Sequence, residues 1–282
     1  MHENILGQIK INKYASQIKG TKNNFSIAVV ADLHDRMPGE VIEILGKERP
    51  DVIVLPGDTF VRHNPKTAGS TLKDMHDWQQ STLLWRITCK WIKLFSDLFG
   101  FTERKRTEYD VSNGWALIIA ASKIAPTFVS LGNHEWYLTE EDKELFNKTG
   151  ATLLDNTHTT IMVKGNKVSF GGLSTKYDLD WLNKFSKIEG VKILLCHHPE
   201  YYERYIKGKD VDTVDIIISG HAHGGQWRLF DRGLFAPGQG ILPKYTKGIY
   251  GKMLVSAGLS NTAIVPRINN PKEVVFVECY GK

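Results

Sequence analysis

Short runs of β-branched and aliphatic residues recur along the chain, and each closes on a polar or glycine-rich cluster. They occupy residues 26–31, 52–55, 127–131, 168–171, 191–196, 214–219, 253–256 and 274–277. Runs this short that are apolar throughout, rather than alternating, predict strands buried on both faces. Helical periodicity separates several of them, at 39–47, 140–149 and 201–207. Strands alternating with helices predict an α/β sandwich whose strands are largely internal. No internal repeat or low-complexity tract interrupts the pattern.

Residues 62–125 break the rhythm. They separate two strand ends by far more chain than the roughly two to six residues usual in α/β connections, so they read as a helical insertion within one domain spanning 1–282. Inside it, 83–99 predicts an amphipathic helix whose broad apolar arc includes Trp85, Trp91, Ile92 and Phe99, opposite Arg86, Lys90, Lys93 and Asp97. Packing on the core, a lid over a site and a patch that meets a membrane surface all satisfy that arc.

Composition narrows the class. With 282 residues, 41% hydrophobic and 24% charged, the chain is an ordinary folded protein and not a disordered, collagen-like or disulfide-stapled one. Thirty-six basic against 31 acidic side chains give a net charge of +5, too mild without a basic stripe to mark a nucleic-acid binder. Cys89, Cys196 and Cys279 lack the spacing of a zinc ribbon or a redox motif, which fits a reducing compartment. Residues 1–24 contain neither a signal-peptide apolar stretch nor a membrane span. The expectation is a cytoplasmic protein, with peripheral membrane association through the insertion as its variant and the oligomeric state open.

Five polar clusters stand where strands end: Asp32-Leu33-His34, Gly57-Asp58, Gly132-Asn133-His134-Glu135, Cys196-His197-His198-Pro199 and Gly220-His221-Ala222-His223-Gly224-Gly225. Ligands in α/β sheets gather at the carboxyl ends of strands, so these loops can converge although their residues are far apart in sequence. A D-x-H alone means little: Asp74-Met75-His76 is a second one and follows no strand. G-N-H and G-H-x-H together, in this order after apolar runs, are expected by chance in about one chain in a thousand. Carboxylate, imidazole and carboxamide donors without thiolate suit divalent Mn, Fe, Zn or Co. In G-H-A-H both imidazoles can approach one centre, with the flanking glycines relieving backbone crowding. A carboxylate such as Asp58 can bridge two cations about 3.5 to 4 Å apart, the separation two-metal hydrolases use. Two divalent ions are therefore expected, with Mn favoured.

These motifs resemble the calcineurin-like metallophosphoesterase superfamily from Asp32 to Arg267, apart from the insertion. The G-H-A-H-G-G-Q-W segment, the glycine-rich loop after it to Gly251, and the 255–259 and 266–268 stretches look like its bacterial YkuE and YaeI phosphodiesterase branch, which is related to lipid-processing UDP-diacylglucosamine pyrophosphatases. The resemblance implies a four-layer αββα sandwich of two mixed sheets. It implies that Asp32, His34 and His223 hold one metal and Asn133, His197 and His221 the other, with Asp58 bridging. It gives His134 the phosphate contact and the general-acid role. Asp35 stands where the family more often has Asn, which puts an extra carboxylate at the edge of the site.

The expected function is a dinuclear metal-dependent phosphoesterase in which a metal-bridging hydroxide attacks a phosphodiester or related ester, lipid-linked and pyrophosphate substrates included, with Asp58 and His134 as catalytic residues. A non-catalytic scaffold of the same fold would have lost metal-site histidines, and a nuclease would call for a basic groove. Near the centre, His198 would point away from His197 along an extended strand end, Glu135 reads as a helix-start or supporting carboxylate, and Cys196 faces the core. His2, His63 and His158 read as surface residues. Residues 227–250 place Arg228, Arg232, Lys244, Tyr245, Lys247 and Tyr250 among glycines and prolines. That is a shaped surface for substrate or a solvated loop, and Arg267 stands likewise between the two readings.

Overall fold

A computed structural model describes residues 9–62, 111–135, 138–260 and 267–281. The 83–99 segment, Asp74-Met75-His76, Cys89, His2 and His63 lie outside the described residues, as does most of the span assigned to the insertion.

Strands β1 (Lys10–Gln17), β2 (Phe25–Val29), β3 (Val52–Leu55), β4 (Thr127–Ser130) and β5 (Thr152–Leu154) are followed by β6 (Thr157–Val163), β7 (Asn166–Leu173), β8 (Val191–Cys196) and β9 (Ile216–Ser219). Two short hairpins come next, β10 (Arg228–Leu229) with β11 (Arg232–Gly233) and β12 (Phe235–Ala236) with β13 (Gly240–Ile241). Strands β14 (Gly248–Tyr250), β15 (Met253–Val255) and β16 (Glu273–Tyr280) complete the set. All eight apolar runs are strands. They build two mixed six-stranded sheets, in the orders β1-β16-β2-β3-β4-β5 and β14-β15-β9-β8-β7-β6. In the first, β2 through β5 run parallel and β16 opposes β2; in the second, β14 and β6 are the antiparallel edges.

The two-residue period of a strand explains the layers. Ile27, Val29, Val52, Val54 and Phe128 point between the sheets, where they meet Phe170, Ile193, Leu195, Ile216 and Ile218. Phe128 and Phe170 stack across this gap with centroids 4.4 Å apart. The alternate residues Ala28, Ile53, Leu55 and Val129 face outward beneath helices α1 (Gly39–Glu48), α2 (Ser112–Ile124) and α3 (Glu140–Thr149), which contribute Val41, Leu45, Leu117, Ile118 and Phe146. On the far side, Leu194, Ile217 and Val255 are covered by α4 (Leu179–Ser186) and by a wide turn over Tyr202–Ile206. The result is the αββα sandwich that the resemblance implies.

Local signals set the helix ends. Thr139 Oγ1 accepts from Asp142 N at 3.0 Å while Asp142 Oδ2 accepts from Thr139 N at 2.9 Å, and Gly150 (φ 78°) closes α3. Residues 201–207 differ from expectation. They form one π-type turn, Tyr202–Ile206, closed by Lys207 N donating to Tyr202 O at 2.8 Å. Among the described residues, no helix is long and apolar enough to cross a membrane. The loops after β2, β3 and β4 of one sheet and after β8 and β9 of the other meet at the carboxyl ends of their strands, and the polar clusters lie there.

Candidate metal centre

Asp32, His34, Asp58, His197, His221 and His223 are all buried, whereas Asn133 and His134 stand partly open, the His134 side chain being 14% exposed. Asp32, His34 and His223 each offer a ligand atom within 4.8 Å of the others, and so do Asp58, His197 and His221. Asp58 lies between the groups: its Oδ2 is 3.1 Å from His197 Nε2, 3.6 Å from His34 Nε2 and 4.0 Å from His134 Nε2. Asn133 Oδ1 is 3.2 Å from His197 Nε2.

The backbone is bent to achieve this. Asp32 (φ 52°), His34 (48°), Asp58 (56°), His221 (66°) and His223 (46°) all occupy the left-handed region, which costs energy for any residue with a Cβ. Each bend is held by hydrogen bonds between loops. His34 N donates to Asp58 O at 2.8 Å, His221 N to Asp32 Oδ1 at 3.0 Å, and His134 N to Asp58 Oδ1 at 2.9 Å. Glu135 is the staple of the first sheet's loops. Its carboxylate accepts from Asp58 N (2.8 Å), Gly132 N (2.7 Å) and Phe60 N (2.9 Å). Glycine is required at 132, where a Cβ would stand 2.1 Å from Asp58 Oδ1. Arg267 donates to Ala257 O at 2.6 Å and to Gly258 O at 3.2 Å, and Asn270 Nδ2 donates to His223 O at 2.6 Å. These two side chains tie the G-H-A-H loop to the loop after β15, and nothing in their spacing announces that task.

Charge is arranged for cation binding. Burial, then the His134 imidazole, holds His34 well below the usual histidine range; burial and His198 do the same to His221. Burial and the Arg267 guanidinium bring His223 down to about 3. These rings are neutral and keep a lone pair for a metal. Burial opposes the charge of Asp58, yet His197 and His134 hold it well below the carboxylate range. Burial likewise opposes protonation of His197, but the Asp58 carboxylate pushes it up to about 9. Asp32, with burial dominant, is pushed up to about 7. His221 Nε2 is buried without a hydrogen-bond partner, an arrangement that costs stability unless a ligand completes it. Buried histidine and aspartate donors in two close groups, with an orphaned ring nitrogen, fit divalent cations.

The neighbouring residues have structural duties. His198 Nε2 lies 3.0 Å from Thr175 Oγ1 and its Nδ1 3.3 Å from Glu200 Oε1, and its ring packs on His221 at 4.2 Å. Asp35 Oδ1 accepts from Gly114 N at 2.8 Å, which fastens the Asp32 loop to the first turn of α2. Cys196 is buried, with burial raising its thiol beyond the usual range, and His158 is exposed on β6.

The chain is thus a mixed two-sheet sandwich that gathers histidine and aspartate at its strand ends. Residues 25–225 match the calcineurin-like phosphoesterase model, and the chain belongs to that family. It is similar to three proteins described as uncharacterized metallophosphoesterases. Cj0846 of Campylobacter jejuni is 23% identical over 99% of this chain and 65% of its own length. YkoQ of Bacillus subtilis is 28% identical over 62% of this chain and 68% of its own. A protein of Aquifex aeolicus is 30% identical over 55% of this chain and 61% of its own. The chain thus spans between 61% and 68% of the length of these relatives.

Proposed function

We propose that the protein is a dinuclear phosphodiesterase. Asp32, His34 and His223 would hold one divalent cation and Asn133, His197 and His221 the other, with Asp58 shared. The observation that carries this reading is the position of Asp58 Oδ2, faced by imidazole nitrogens of His197, His34 and His134 at 3.1, 3.6 and 4.0 Å. A carboxylate oxygen so placed is suited to serve two cations at once. Bound there, the cations lower the pKa of water and neutralise charge on the phosphate.

The chain's own groups do the rest. The backbone N–H of His134 and the Glu135 staple aim the Asp58 carboxylate, so little reorganisation is left for the reaction. The His134 ring, partly open and edge-on to His34 at 4.6 Å, stands at the mouth of the centre. From there Nε2 can donate a proton to the departing alkoxide.

Purified protein assayed on bis-para-nitrophenyl phosphate and on para-nitrophenyl phosphate, with Mn and with EDTA, tests the assignment. Mn-dependent release from the diester, with the monoester slower, is expected. Equal turnover in EDTA would overturn the metal requirement, and preference for the monoester would overturn the diesterase assignment.

A further inference from the structure

Next to the centre lies a second, smaller group of donors. His198 and Glu200 stand in the turn after β8 and His221 in the G-H-A-H loop after β9, and each offers a ligand atom within 4.8 Å of the others. All three are buried, at 1%, 7% and 3% exposure. The His198 ring is held in place: its Nε2 lies 3.0 Å from Thr175 Oγ1, the ring stacks on Tyr201 at 4.7 Å, and Tyr201 Oη donates to Thr175 O at 3.2 Å. Its Nδ1 lies 3.3 Å from Glu200 Oε1. Gly238 (φ 72°) makes room for that carboxylate, since a Cβ there would stand 2.0 Å from Glu200 Oε1.

Hydrogen bonds alone leave this group incomplete. The contact with His198 engages one oxygen of Glu200, while Glu200 Oε2 and His221 Nε2 are buried with no hydrogen-bond partner, an expensive state for two polar atoms in one pocket. The spacing suits a cation. Bonds of about 2.0 to 2.2 Å at the tetrahedral angle set neighbouring ligand atoms about 3.3 to 3.6 Å apart, and His198 Nδ1 and Glu200 Oε1 stand at 3.3 Å. Two imidazoles and one carboxylate are a zinc donor set that keeps a fourth position for water. Thr175 gives His198 the outer hydrogen bond by which ligating histidines are oriented.

We propose that His198, Glu200 and His221 form a separate zinc site, and that zinc bound there inhibits the protein. A neutral imidazole has a single lone pair, so His221 serves either this site or the group of Asp58 and His197. Zinc on the three residues withdraws His221 from the cation held with Asn133 and His197; that competition alone rests on the dinuclear reading.

Chelated protein titrated with zinc chloride, freed of excess by gel filtration and counted by atomic absorption, provides the test. The Asp58→Asn variant should hold one zinc ion per chain that Asp58→Asn combined with Glu200→Gln does not. Thr175→Val in the same background leaves the three ligands in place and should weaken that zinc about tenfold to a hundredfold. Equal zinc in all three proteins would overturn the site, and a water molecule would then satisfy the two orphaned atoms. In Mn-loaded wild type each zinc ion taken up should release one Mn ion, whereas Glu200→Gln should keep both Mn at the same zinc concentration. Zinc gained with both Mn retained would overturn the competition, as would equal release of Mn from Glu200→Gln, since zinc would then merely replace Mn within the centre. Wild-type protein that binds no Mn would sink the dinuclear reading and leave the zinc count standing.

Discussion

Asp58 is the residue on which the most geometry converges. Asparagine there would keep the hydrogen bond from His134 N through Oδ1 and remove the charge that three imidazoles face. Asp58→Asn is therefore expected to fold, to lose most bound metal by atomic absorption, and to show no measurable turnover; stoichiometric metal with normal rate would refute the shared-ligand role. On the proposed reading His134 serves the reaction rather than the cation sites, since Asn133 already offers an oxygen at that turn. Expected of His134→Ala is retention of metal with a rate loss of about a hundredfold to ten-thousandfold, largest for esters with poor leaving groups. A variant that loses metal but recovers full rate at high Mn would make His134 a ligand instead. Such residues were legible because rare residue types stood together, as in Gly132-Asn133-His134 and Gly220-His221-Ala222-His223. The tie that Arg267 and Asn270 make between loops was not, because most of it runs to backbone carbonyls, which leave no trace in composition.

At the scale of elements, Glu135 decides how the loops after β3 and β4 are joined. An amide in its place would turn an NH₂ toward backbone N–H groups at one end of the fork, leaving donors unpaired in a buried site. Glu135→Gln should cost about 1 to 3 kcal/mol, a fall in Tm of roughly 2 to 10 °C by calorimetry, and should reduce metal content as the Asp58 loop relaxes. A Tm within one degree of wild type would show that the staple contributes little. The central strands were readable as unbroken apolar runs because both of their faces are covered. β1 and β6 were missed because they are edge strands, with burial alternating along Lys-Ile-Asn-Lys-Tyr-Ala-Ser-Gln and Thr-His-Thr-Thr-Ile-Met-Val. Tertiary pairing, β1 with β16 and β6 with β7, makes strands of segments whose polarity resembles loop.

For the whole molecule, metal and fold are linked. A cation bound a hundredfold above its Kd stabilises by about 2.7 kcal/mol, so Mn should raise Tm and EDTA should reverse the rise. The same linkage turns the left-handed bends into an engineering hazard. Each costs about 1 kcal/mol or more within a total stability of about 5 to 15 kcal/mol, and Asp32 adds a carboxyl that burial pushes up to about 7. That folded value is above the unfolded one of 3.8, so the penalty is full above pH 7 and vanishes below the unfolded value. Asp32→Asn keeps the bond from His221 N and tolerates the bend. In EDTA at pH 8 its Tm should exceed that of wild type, with the advantage fading as the pH falls from about 7 toward 4; with saturating Mn the order should invert. No advantage in EDTA would mean that the charge is accommodated some other way. A directed-evolution campaign scored by heat resistance of chelated protein would therefore enrich inactive clones, and only a screen run with metal present would reward the centre it is meant to improve.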